Sequence, residues 1–217
     1  MNYKIINSGS DGNCTIVNDK IAIDCGVSYK RLTPYRNNLK LIFISHIHHD
    51  HFNRKTVSQL AKNRPTLRFA VGSYLVEELI NCGVDKKNID ILELGKILNY
   101  ELFKIQPIKL YHDVPNMGLR LFMNDKKLIY ATDTKTLDGI TAKDYDVYLV
   151  EGNYEDETEL HNRAVSPEYE SRVKNTHLSK EYTTKWLLEN MGDKSEYVFM
   201  HQHKERENNH GIRKTNI

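Results

Sequence analysis

No hydrophobic run in these 217 residues approaches the roughly eighteen needed to span a bilayer as a helix. The N-terminus, MNYKIINSGSDGN, has no apolar core of the signal-peptide kind and enters a strand-like pattern at once, so the expected location is the cytoplasm. Cysteine is scarce. Cys14, Cys25 and Cys82 are odd in number and widely spaced, which suits neither a disulfide framework nor a zinc knuckle. The expectation is free thiols packed as small hydrophobes, with Cys14 and Cys25 flanking a hairpin, TIVNDKIAID. Charge of one sign is lacking too. Lys and Arg number 31 against 29 Asp and Glu, a net charge of +2. That is too weak to imply nucleic acid by itself, though it leaves room for a local basic groove. There is no internal repeat and no low-complexity block. A hydrophobic content of 39% and a charged content of 28% describe a soluble globular chain, and the length suits one domain.

What is present is a succession of short strands with helices between them. YKII, TIV and IAID alternate or are β-branched, and they are separated by the glycine turn SGSDGN and by Asn-Asp. LKLIFIS reads as a buried strand from its nearly continuous apolar run. NRKTVSQLAK fits a helix capped by Asn53, and SYLVEELINCG a helix that stops at Gly83. IDILEL, ILNYELFKIQPIKL, LRLFMN, KLIYATD and DVYLVEG continue the strands. SKEYTTKWLLENMG reads as an amphipathic helix capped by Ser179 and closed by Gly192, and SEYVFMH as a last strand. The class is mixed, β-rich α/β. Residues 1–203 form the expected domain, and 204–217 a polar surface tail.

The chemistry concentrates in FISHIHHDHF, where four histidines and one aspartate occupy residues 46–51. A buried strand ends at Ser45, so the cluster stands at a strand end, where loops carry function. His46 and His48 are two apart, and an extended backbone throws both to one side. The pattern is H-x-H-x-D-H. Two imidazoles can bind one divalent ion, while Asp50 and His51 begin a second site. His49 should turn away. A helical His-Asp phosphohydrolase motif is the rival reading, but the strand just upstream opposes it. Two ions need further donors, and later strand ends supply them: His112 after IQPIKLY, Asp133 after KKLIY and His201 after YVFM.

This constellation resembles the metallo-β-lactamase fold superfamily, and the resemblance runs from the N-terminal strands to His203. It implies a four-layer αββα sandwich, α/β (α+β) in class, with a dinuclear metal site at one edge of two sheets. Carried over, one ion sits on His46, His48 and His112. The other sits on Asp50, His51 and His201, and Asp133 bridges. The ions expected are two divalent cations, zinc first, with manganese or iron as alternatives. Where the best-known β-lactamases have cysteine, LIYATDT offers Asp133, as in the nucleases and thioesterases of the superfamily. A carboxylate bridge suits ions about 3.5–4 Å apart, the spacing of phosphodiester hydrolysis. SGSDGN, IAIDCG, HDVPNMG and THLSKE resemble segments of the YycJ/WalJ-like nuclease branch. Pro115 and Gly118 are shifted from that pattern, and MHQH replaces its LHxS.

The implied function is a metal-dependent hydrolase, a phosphodiesterase or nuclease acting on DNA or RNA through a metal-activated water. The alternative is a small-molecule hydrolase of the same fold, acting on a thioester, lactone or cyclic nucleotide. A non-catalytic binding module and an oxygen-reducing diiron enzyme are the more distant rivals. Asp50 is expected to bind metal and orient the water, and His177 in THLSKE to protonate the leaving oxygen. The alternative for His177 is an N-terminal helix cap or a supporting contact. Asp24 is either an acceptor for a metal-bound imidazole or a turn residue before Gly26. Glu151 and Asn153 are candidates to line the cleft. Ser8, Ser10 and Asn13 could offer phosphate donors, although a tight turn suits them better. Tyr111, Tyr130 and Tyr154 are candidates for base stacking, with ordinary packing favoured. His161, His203 and His210 have no assigned role, and the oligomeric state is open.

Overall fold

The computed structural model describes residues 1–202 and the backbone of 212–213. His203, His210 and the rest of the polar tail except Ile212 and Arg213 lie outside the described residues. The chain divides into two compact units, Met1–Glu93 and Leu94–Ile217.

In the first unit β1 (Tyr3–Asn7), β2 (Cys14–Val17) and β3 (Ile21–Ile23) form an antiparallel ribbon. Asn18 and Asp19, both at positive φ (46° and 56°), begin the three-residue turn that carries β2 into β3. Thr15 pairs with Ile23, so Cys25 stands beyond the hairpin, where it bridges to Phe52. All three cysteines are free and buried, as expected. From β3 the sheet continues in parallel through β4 (Leu41–Ile44), β5 (Arg68–Gly72) and β6 (Ile89–Leu92). Three helices lie between these strands: α1 (Tyr29–Leu32), α2 (Arg54–Asn63) and α3 (Val76–Asn81). Every residue of β4 is buried, because both faces of a parallel strand are covered. Ile42 and Ile44 pack with Val57 and Leu60 of α2 and Leu79 of α3. The Asn53 side chain accepts from the Thr56 N–H at 3.0 Å, the cap that starts α2.

The second unit holds a seven-stranded sheet. Its strands β7 (Leu98–Tyr100), β8 (Phe103–Leu110), β9 (Asn116–Met123) and β10 (Lys126–Ala131) form an antiparallel meander. Strand β11 (Val147–Glu151) joins β10 in parallel, β12 (Glu196–Met200) joins β11 in parallel, and β13 (Ile212–Arg213) pairs antiparallel at the edge. Between β11 and β12 run α4 (Glu157–Arg163), α5 (Pro167–Thr176) and α6 (Lys180–Asn190). Trp186 and Leu187 of α6 enter a cluster with Ile129, Tyr148 and Val150.

Two sheets and six helices among the described residues make this the mixed α/β class expected. Three helices, α1, α4 and α5, were not expected, and ILNYELFKIQPIKL is two strands turning at Glu101–Leu102. The segment of α4 and α5 is polar and shows no long apolar stripe. It buries only a small cluster of its own, Leu160 and Val173 with Tyr154. Its helices are signalled by caps instead. Asp156 accepts from Glu159 N–H at 2.8 Å, and Ser166, followed by Pro167, accepts from Tyr169 N–H at 3.2 Å.

Candidate metal centre

In the first unit the loop between β4 and α2 carries His46, His48, His49, Asp50 and His51. Backbone hydrogen bonds clamp it. Asn13 N–H donates to Asp50 O (2.6 Å), Cys25 N–H to His51 O (2.9 Å), and Asn53 N–H to Cys25 O (3.0 Å). Gly26 lies so close that a Cβ there would collide with the Asp50 carbonyl. Thus the SGSDGN and DCG segments are the walls that hold the histidine loop. Within this clamp the N–H groups of Gly9, Gly12 and Asn13 are already used.

Two of the rings, those of His46 and His51, have a fixed back side. Asp24, buried and at φ 61°, accepts Ser45 N–H at 2.8 Å through Oδ1 and holds His51 Nδ1 at 2.7 Å through Oδ2. Asn13 Nδ2 stands 2.8 Å from His51 Nε2 and 3.2 Å from Asp50 Oδ2. Asn13 as donor and Asp24 as acceptor together set the tautomer, with the proton on Nδ1 of His51. Ser45 Oγ contacts His46 Nδ1 at 2.9 Å, leaving His46 Nε2 3.2 Å from His48 Nδ1. His46 and His51 are fully buried, His48 and Asp50 partly, and His49 is exposed, consistent with its omission from the donors.

In the second unit the donors stand at separate strand ends. His112 follows β8, donates from Nδ1 to the Thr176 carbonyl (3.1 Å) and places Nε2 3.9 Å from Asp133 Oδ1. Burial holds its imidazole below the ordinary histidine range, against the opposing pull of Asp133 and Asp113, and so favours the neutral ring that metals bind. Asp133 follows β10 at φ 58°, and Asn116 Nδ2 donates to its carbonyl at 2.7 Å. His201 follows β12 at φ 53°, with Nε2 3.4 Å from Asp133 Oδ1. Asn153 Nδ2 donates to its carbonyl at 2.9 Å. Asp24, Asp133 and His201 therefore all occupy left-handed backbone, a conformation that non-glycine residues reach at a cost and that clusters at functional sites.

Glu151 was expected only to line a cleft. It ends the wholly buried β11, is itself 0% exposed, and bonds His177 Nδ1 at 2.7 Å and Thr134 N–H at 3.1 Å. Asp133, Glu151, His177 and His201 bring donor atoms within 4.8 Å of one another. A carboxylate closing an otherwise apolar strand was the available signal. His177 is the residue that ends α5, while Ser179 caps α6, so the N-terminal capping alternative for His177 does not apply. Tyr130 and Tyr154 are buried in packing, whereas Tyr111 is 41% exposed with Lys109 over its ring. His161 pairs with Glu170 on the surface.

The donor sets fit divalent metal. Two donors sharing a tetrahedral zinc at about 2.0–2.1 Å stand about 3.3–3.4 Å apart. The separations here are 3.2 Å for His46 and His48, 3.5 Å for Asp50 and His51, and 3.4 Å for Asp133 and His201.

The family described as Beta-lactamase superfamily domain matches residues 19–202. The metallo-beta-lactamase fold protein YhfI from Bacillus subtilis is 16% identical, with 92% of this chain and 85% of that chain covered and a TM-score of 0.72. Human tRNase Z, short form (ELAC1), is 13% identical over 94% of this chain and 93% of that one, with a TM-score of 0.74. Zn(2+)-bound PqqB from Methylobacterium extorquens is 9% identical over 93% and 89%, with a TM-score of 0.65. At such identities the likeness is one of fold. No curated protein matches the chain.

Proposed function

The chain belongs to the beta-lactamase superfamily, a family of metal-dependent hydrolases, and on that premise we propose that it is a phosphodiesterase, a nuclease of DNA or RNA in the YycJ/WalJ-like branch. The observation that carries this reading is the His177–Glu151 pair within the same cluster as Asp133 and His201. A proton donor beside metal donors is what a phosphodiester with an alkoxide leaving group needs. The GSxGN-like and HLS-like segments support the branch.

In this proposal, as the resemblance implies, His46, His48 and His112 would hold one ion and Asp50, His51 and His201 the other, with Asp133 available to both. When bound, the ions supply Lewis-acid charge that acidifies a water and neutralises phosphoryl oxygens. Asp50 would bind metal and orient the attacking water. Asp24 and Ser45 keep the rings of His51 and His46 turned with their donor nitrogens outward. Glu151 fixes Nδ1 of His177, leaving Nε2 to hold and pass the proton to the leaving oxygen. Zinc is the preferred ion, as the donors are imidazole and carboxylate and a fold-mate is Zn(2+)-bound, with manganese and iron as the alternatives. No helix among the described residues is long and apolar enough to cross a membrane. Three free thiols suit a reducing compartment, and the cytoplasm is the proposed location.

The test is cleavage of end-labelled single- and double-stranded DNA and RNA by protein loaded with zinc or manganese, with metal content measured and Asp133→Ala as control. Metal-dependent cleavage lost in the control is expected. A protein holding two metals that cuts no polymer and no simple phosphodiester would transfer the assignment to a thioester or lactone.

A further inference from the structure

The near-zero net charge conceals an uneven distribution. Residues 27–68 contain nine Lys and Arg and one acid, Asp50 of the histidine loop, a net +8 in a chain whose total is +2. This stretch runs through α1, the histidine loop and α2. Arg54 and Arg68 have carboxylate partners, Glu78 and Asp90. The other seven cations have none among the described residues. Arg31, Arg36 and Arg64 bond only neutral oxygens, those of Ile6, Tyr29 and the carbonyls of Arg36 and Leu39. Lys30, Lys40, Lys55 and Lys62 are exposed.

The placement is electrostatically unfavourable for the protein alone. The first turn of α2 carries Arg54 and Lys55 and no acid, so cations sit at the positive end of the helix dipole, where acids are preferred. Lys55, Gln59 and Lys62 are spaced i, i+4, i+7 and all are exposed, a polar ridge that starts four residues after His51. Helix α1 packs against α2 and adds Lys30 and Arg31, again with no acid in its first turn. A bound polyanion would relieve both the mutual repulsion and the opposition to the dipole. The aromatic rings of this surface already carry cations. Tyr29 is covered by Arg36 at 5.2 Å and Tyr35 by Lys4 at 5.6 Å.

We propose that the α1–α2 surface binds the phosphodiester backbone of the nucleic acid substrate, delivering it to the adjacent histidine loop without reading its sequence. This rests on the nuclease reading above and names the surface that makes it a polymer enzyme. Backbone contacts of this kind position rather than specify, and each contributes about 0.7–0.9 to the slope of log affinity against log salt.

The test combines Lys30→Gln, Lys55→Gln and Lys62→Gln, three exposed changes that remove charge and keep the side-chain stem. Binding of labelled phosphorothioate RNA and DNA oligonucleotides, which resist cleavage, is followed by anisotropy across a salt series. Turnover of bis(p-nitrophenyl) phosphate, which has no polymer backbone, is followed in parallel. The expected result is affinity weakened at least about tenfold, with the salt slope shallower by about 2, alike for different sequences. Unchanged affinity in the variant overturns the proposal. So does wild-type protein that hydrolyses the small diester yet binds neither polymer, and that outcome leaves the metal-centre reading intact. Wild-type protein that binds oligonucleotides through these lysines but hydrolyses no diester upholds the surface and sinks the catalytic reading.

Discussion

The histidine loop of the first unit and the donor cluster of the second solve one positioning problem differently. The first packs its candidate ligands into six consecutive residues and fixes them with backbone: Asn13, Cys25 and Asn53 each hydrogen-bond across the loop, and Gly26 seats it from below. The second takes each side chain from a different strand end and fixes it by its own neighbour. His112 leans on Thr176, Asp133 on Asn116, His177 on Glu151 and His201 on Asn153. A contiguous loop fails or holds as a unit, whereas an assembled cluster can lose one member and keep the rest.

Three substitutions sharpen that contrast. The largest effect belongs to the assembled cluster. His177→Ala should lower the cleavage of DNA or RNA about 10²–10⁴-fold while metal content stays that of the wild type. Hydrolysis of a p-nitrophenyl diester should fall far less, because that leaving group departs without a proton. Equal losses on both substrates would remove His177 from the proton-donor role. Next comes Gly26→Ala, where the new methyl meets the Asp50 carbonyl. Overpacking of this kind costs up to about 3 kcal/mol, a drop in Tm of roughly 6–12 °C for a chain of this size, and bound metal should fall with it. A wild-type Tm together with full metal content would mean the loop is not clamped as a unit. The smallest effect is Asp24→Asn, which keeps an oxygen for Ser45 N–H but deprives His51 of its carboxylate. Metal affinity measured by competition with a chelator should weaken about 10–100-fold with little change in Tm.

The same contrast explains what was legible. H-x-H-x-D-H could be read at once because its residues are neighbours in the chain and the strand LIFIS before them is unambiguous. His112, Asp133 and His201 were legible as strand ends, since each follows an apolar run. Glu151 was underestimated. Its one local signal, a carboxylate closing the apolar run YLV, becomes decisive only when β11 is set between β10 and β12. Asn13 was read as a possible phosphate donor, yet its amide serves Asp50 and His51 more than thirty positions away. Helices α4 and α5 escaped notice because their stripe is short and their caps, Asp156 and Ser166, are the stronger signal.

The sequence by itself determined the order of strands, the buried run that ends at Ser45, the contiguous candidate ligands His46, His48, Asp50 and His51, and the basic stretch from 27 to 68. All of these depend on residues near one another along the chain, where periodicity and charge can be counted directly. Only the tertiary structure decided which carboxylate backs which imidazole: Asp24 with His51 across 27 positions, Glu151 with His177 across 26. Those pairings depend on sheet register and on left-handed backbone at Asp24, Asp133 and His201, which long-range packing imposes and local preference alone would not select.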